Sequence, residues 1–178
     1  MSPTPDLGAI ADEHMRCEFA LKSAERTMET MTENPYLNHV PTATGAAGHD
    51  AVLAFYRDLF IPSWPDDAGI TPVTRTIGGE RLVDEFVVHF THTTRMEFML
   101  PGVEPSGRRV ELPHVVIFGF EDDKIAYERI YWDQASLLAQ VGALDTATVP
   151  ALGAEEARNV LDPDAPANEI MGRFGPTP

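Results

Sequence analysis

The sequence predicts an α+β domain in which helices come first and a run of antiparallel strands follows. Apolar residues recur at helical steps of three and four as far as Phe60, and from Ile70 onward the period changes to two. A glycine pair, Gly78-Gly79, then marks a hairpin between two extended runs. The strands are expected to form a curved sheet whose concave side the helices cover.

The bulk composition narrows the partners. At 178 residues the chain has the size of one domain with an appendage, and its 43% apolar residues suit a buried core. The net charge of −15 argues against nucleic acid and against anionic membrane surfaces, both of which need clustered Lys and Arg. A neutral or weakly polar small molecule is the easier partner. No apolar run approaches the ~20 residues of a membrane span, and Met1 to Asp6 lacks the basic start and apolar stretch of a signal peptide. The one cysteine, Cys17, cannot form an internal disulfide. A cytoplasmic location is therefore expected.

Taken in order, Ile10, His14, Cys17, Leu21, Ala24, Met28 and Met31 define one helix face, which Asn34-Pro35 ends. Tyr36 to Val40 reads as a short extended piece and Thr42 to Gly48 as a loop. A second helix is predicted from His49 to Phe60, with Val52, Tyr56, Leu59 and Phe60 on one side. After the hairpin, the run from Arg81 to Leu100 alternates. Leu82, Phe86, Val88, Phe90, Met96 and Phe98 fall on the apolar face, and Glu85, His89, Thr91, Thr93, Arg95 and Glu97 on the polar one. A further strand covers Arg108 to Phe120, an acidic turn follows, and a last strand spans Lys124 to Trp132. A short helix, Gln134 to Val141, stops at Gly142. The tail from Asp145 is rich in Pro, Ala and Gly, with one helix expected near Ala154 to Leu161 and an apolar turn at Ile170 to Phe174. Residues 1–144 are thus read as the domain and 145–178 as an extension packing on it or on a partner subunit.

The segment Phe118 to Gly142 resembles the end of the SnoaL-like family within the nuclear transport factor 2-like superfamily. The residues that carry the resemblance are Asp123-Lys124-Ile125, Tyr131-Trp132-Asp133-Gln134, Leu137-Leu138 and Gln140-Val141-Gly142. Asp123 stands where the family commonly has Gly. The resemblance implies a cone-shaped fold with a deep apolar pocket, and no cofactor is expected. It also implies chemistry of the polyketide cyclase, ketosteroid isomerase, dehydratase or epoxide hydrolase kind. Non-catalytic small-molecule-binding domains share the fold, so the pocket residues must decide. Related domains commonly pair through the sheet, which makes a homodimer the expected assembly.

The resemblance places an acid/base residue at Asp133, because a carboxyl at the mouth of an apolar pocket has its pKa raised. Asp133 is equally the residue before a helix, where Asp is a favoured N-cap. Arg95 and Glu97 resemble the Arg-x-Asp of the epoxide hydrolases, which with Asp133 would form an acid–arginine–acid set. Their face of the run is the polar one, so a bulge would have to turn them inward. His114 interrupts an apolar face and so reads as a pocket or core imidazole, able to donate to a substrate carbonyl or shuttle a proton. His92, Tyr36, Tyr131, Trp132 and Phe118 are the candidate substrate contacts. His14 reads as structural. No metal site is expected, because His89 and His92 point to opposite strand faces and no Cys pair or helical His-x-x-x-His occurs. No glycine-rich nucleotide motif occurs either.

Overall fold

The structure is a computed structural model that describes residues 5–175. Helix α1 (Leu7–Phe19) starts at Asp6, whose carboxylate accepts from the Ala9 amide. The helical face read from the sequence is interrupted after Phe19. Lys22 adopts a positive φ, Ser23 caps a separate short helix α2 (Ala24–Met28), and strand β1 (Met31–His39) begins at Met31. Met31 is buried in both readings, because a helix face and a strand face can each place an apolar side chain inward. Pro35 sits in the strand where its register shifts, consistent with its missing amide.

The stretch read as a loop contains strand β2 (Thr44–Ala47), which pairs antiparallel with β1. Gly45 makes this possible: at φ 146° an added Cβ would stand 2.0 Å from the Leu37 carbonyl oxygen. The second predicted helix is present as α3 (His49–Phe55). It continues through a π-helical turn at Tyr56–Phe60 into α4 (Ile61–Ser63). Then follow β3 (Gly69–Gly78), β4 (Arg81–Thr91), β5 (Arg109–Glu121), β6 (Lys124–Tyr131) and α5 (Gln134–Val141). The tail carries α6 (Glu155–Leu161) and α7 (Glu169–Phe174). Among the described residues no helix is long and apolar enough to cross a membrane.

The six strands form one sheet in the order β2-β1-β6-β5-β4-β3. Four of the five pairings are antiparallel, while β1 and β6 pair in parallel and bring distant segments side by side. That pairing sets Leu37 opposite Glu128 and His39 opposite Ile130. The β5 register continues the rows, with Phe118 beside Glu128 and Val116 beside Ile130. Phe86 of β4 lies opposite His114. Helix α1 is tied over these rows by Arg75, which holds buried Asp84 with two bonds of 2.6 and 2.7 Å and reaches Asp12 of α1 at 2.8 Å.

The long run read as one strand ends at Thr91. His92 and Arg108 close the ladder, and residues 92–107 fold back as a loop whose Met96, Phe98, Met99 and Leu100 are buried. Alternation persisted in the sequence because a buried turn needs apolar residues as much as a strand does. Thr42 and Thr44 each donate a hydroxyl to the Phe98 carbonyl at 2.8 Å, binding this loop to the start of β2.

Gly45→Ala is expected to destabilise the fold by about 2 kcal/mol or more, since the clash is with backbone and the conformation disfavours a side chain. Thermal unfolding should register this as a Tm lower by at least about 4 °C.

Candidate functional site

Under α1 the concave face of the sheet encloses a narrow cavity of about 30 Å³. That is room for one or two waters with the side chains as they stand. Its walls are mostly aromatic, formed by Phe19, Phe60, Trp64, Phe86 and Phe98, with apolar Leu37, Val116 and Ile130 from the sheet. Five polar side chains break this lining: Glu18, His39, Tyr56, His114 and Glu128.

Three of these five meet His14 at one wall. His14 Nε2 lies 2.6 Å from Glu128 Oε1 and 3.2 Å from Glu18 Oε1. The Tyr56 hydroxyl donates to Glu128 Oε1 at 3.1 Å. His14 Nδ1 stands 2.6 Å from the Thr30 hydroxyl, whose own hydrogen goes to the Thr27 carbonyl at 2.7 Å. Thr30 must therefore accept from Nδ1–H, which leaves Nε2 to face two carboxylates. A bare lone pair there would be repelled, so the imidazole is doubly protonated. Burial opposes that charge, but Glu128 and Glu18 outweigh it and push the His14 pKa up to about 10. Burial raises the Glu18 carboxyl above its usual range, with His14 offsetting only part of the rise. Burial and both carboxylates raise the Tyr56 phenol.

The same His14, Glu18 and Glu128 atoms lie within 4.8 Å of one another, a set that could hold a metal ion. Ligands on one ion at ~2.1 Å stand roughly 3 Å or more apart. The 2.6 Å contact between His14 and Glu128 is the length of a proton-bridged pair.

A second polar station comprises His39 and His114. His114 stacks between Phe86 (5.7 Å, 8°) and Trp132 (5.5 Å, 29°). Its Nδ1 donates to the Leu112 carbonyl at 3.0 Å. The free Nε2 is then an acceptor, so His114 cannot donate to a carbonyl as expected from sequence while that bond holds. Burial lowers its pKa to about 4. Burial, with His114 nearby, lowers that of His39 to about 3, and both rings are neutral at pH 7.

The remaining predicted residues fall elsewhere. Asp133 is exposed and caps α5, accepting from Ala135 and Ser136 at 2.7 and 3.0 Å. Arg95 and Glu97 lie on the solvent side of the 92–107 loop, not on a strand. Arg95 pairs there with Glu97 and Glu104, and Glu97 also accepts from the Gly102 amide. The acid–arginine–acid set is not assembled, because the ladder ends at Thr91 before it could carry the pair inward. Tyr36 and Tyr131 are exposed, on strand positions that alternate with buried ones. His92 is buried but bonded to Ser106 away from the cavity. Trp132 backs the two cavity histidines, and Phe118 packs edge-on against His14 at 6.0 Å.

The profile of the SnoaL-like polyketide cyclase family matches residues 17–141. The chain belongs to this family. Among solved structures, TsrD from Streptomyces laurentii superposes with a TM-score of 0.59 at 19% identity, over 77% of this chain and 95% of its own. A protein with a ketosteroid isomerase-like fold from Catenulispora acidiphila, in complex with trimethylamine, gives 0.60 at 11% identity over 80% and 96%. The epoxide hydrolase/cyclase-like enzyme SalBIII, from pyran ring formation in the polyether salinomycin, gives 0.53 at 18% identity over 71% and 89%. At such identities these likenesses bear on the fold, which is of the nuclear transport factor 2-like cone type. No curated protein matches the sequence.

In this SnoaL-like chain the polar cavity residues Glu18, Tyr56, His39 and Glu128 escaped the sequence reading, and His14 was read as structural. A signal existed for two of them. Glu18 follows His14 by four residues, one turn along the same helix face. Glu128 is in phase with Ile130 and Trp132, an acid where alternation demands an apolar residue.

The pH dependence of stability should be two-sided. His39 and His114 titrate lower folded than at their usual 6.5, so stability falls as pH drops from there toward about 4 and about 3. His14 titrates higher, so its contribution is whole below 6.5 and is lost as pH rises toward about 10. Urea unfolding across pH 4 to 10 is expected to show both limbs, with the acid limb shallower in His114→Phe.

Proposed function

We propose that this SnoaL-like chain catalyses proton transfer on a small, uncharged, mostly apolar molecule, by chemistry of the cyclase, isomerase or dehydratase kind. The observation that carries this reading is the buried His14–Glu18–Glu128–Tyr56 cluster bordering an aromatic cavity. Glu128 Oε1 is engaged by both His14 and Tyr56, whereas Glu18 holds His14 more loosely at 3.2 Å. Glu18 is therefore the group that exchanges protons with substrate.

With Glu18 ionised, the cluster holds two carboxylates and one imidazolium, an excess negative charge in a low-dielectric wall. Taking a proton from an acidified C–H or O–H of the substrate removes that excess. The protonated Glu18 then returns the proton to another substrate atom, completing an isomerisation or a ring closure. Its raised pKa suits a group that must both take and give at neutral pH. Tyr56 and His14 act as positioning residues, since they fix Glu128 and set the charge against which Glu18 titrates. Arg95, Glu97 and Asp133 stand outside the cavity, which favours these reactions over water addition to an epoxide. An organic substrate exceeds the cavity as it stands, so binding requires the lining rings to part.

Deuterium incorporation from D2O at carbons flanking the carbonyl, in a panel of cyclic ketones and 1,3-diketones, tests this directly by mass spectrometry. Glu18→Gln should slow exchange by about 10²–10⁴-fold, while Asp133→Asn should leave it unchanged. Equal rates in Glu18→Gln and wild type, or loss of exchange in Asp133→Asn alone, would overturn the assignment.

A further inference from the structure

Two ring nitrogens of residues lining the cavity are buried and have no hydrogen-bond partner among the described residues: Nδ1 of His39 and Nε1 of Trp64. His39 is 3% exposed and Trp64 7%. Buried polar atoms are normally paired, and leaving one unpaired costs free energy that a ligand atom would recover. Neither residue is part of the acid/base cluster, and both belong to one aromatic group. The His39 ring centroid is 5.1 Å from that of Phe98 and 5.6 Å from that of Phe60, and the Trp64 centroid 5.7 and 5.8 Å from the same two rings.

We propose that His39 and Trp64 form an oxygen-recognition subsite for the ligand, selecting an uncharged hydroxyl at the end of an apolar ring. The chemistry of the two partners sets this choice. An indole N–H only donates, so it needs an acceptor. A neutral imidazole nitrogen either donates or accepts, depending on its tautomer. A hydroxyl suits either nitrogen, because it accepts from Trp64 and serves His39 in either form. A carboxylate does not suit the site: Glu18 and Glu128 line the cavity, and the His14 imidazolium beside them is already paired with both. A methyl group in place of the hydroxyl would leave both nitrogens unpaired. The stacked Phe55, Phe60 and His39 rings favour a flat ligand body.

This inference rests on the cavity being a ligand site, as the proposed function requires, and the test separates the two. The probes are p-cresol, its near-isostere p-xylene, and p-toluate, titrated into the full chain and followed by two-dimensional NMR of the amide and imidazole nitrogens. The expected result is that p-cresol binds about tenfold more tightly than p-xylene, with p-toluate not binding. The His39 Nδ1 resonance should shift on cresol binding alone. In His39→Phe and in Trp64→Phe, each conservative in an aromatic cluster, the cresol advantage should shrink while p-xylene affinity holds. Equal binding of cresol and xylene by wild type, or an undiminished cresol preference in both variants, would overturn the oxygen subsite and leave the cavity reading standing. Failure of all three probes to perturb cavity resonances would overturn both.

Discussion

The interior depends on a single proton, the one that His14 holds between Glu18 and Glu128. Three ionisable groups under an aromatic core would each cost several kcal/mol if unpaired, and removing one member of such a set typically costs about 3–5 kcal/mol. Here every member has a partner. Thr30 takes the second imidazole hydrogen, and Tyr56 takes a share of Glu128. The arrangement is expensive as a device for stability alone, since well-packed apolar residues often do as well.

Bringing these groups together is the work of three elements that are far apart in the chain. Helix α1 supplies His14 and Glu18 one turn apart, β6 supplies Glu128, and the π-helical turn after α3 supplies Tyr56. The π turn widens the helix by one residue locally, a feature often found at functional positions. The register of β6 shifts between Gly119 and Phe120 of its partner, after which Glu128 and Ile130 face inward. Parallel pairing with β1 then places His39 on the same wall. Arg75 fixes α1 over the sheet by holding Asp84 and Asp12 together.

The second half of the cavity is closed by the 92–107 loop. Phe98 is its inward contribution, pinned through its carbonyl by Thr42 and Thr44. Arg95 and Glu97 are its outward face, occupied with each other and with Glu104. One loop thus both narrows the pocket and withholds the residues that would have resembled an epoxide-opening set. Asp133 is withheld differently: its carboxylate accepts from two amides at the start of α5, an N-cap worth about 1 kcal/mol.

By itself the sequence determined the family, the second helix, the strands from β3 to β6 and their apolar faces. Period and turn residues are local properties that each segment carries alone: Gly78-Gly79 set the β3–β4 hairpin and Gly142 the end of α5. The inward placement of His114 was likewise legible, because an imidazole in phase with Leu112 and Val116 has only one face to occupy. Tertiary structure alone decided the buried cluster that His14 forms with Glu18, Glu128 and Tyr56. Glu18, Tyr56 and Glu128 are separated by tens of residues, and their pairing depends on the parallel β1–β6 contact, on a bulge and on a π turn. The bulge and the π turn each insert one residue, and the parallel pairing joins distant segments; none carries an unambiguous local mark. A one-residue shift moves a side chain from solvent to cavity, and it is this geometry that turned Glu128 inward.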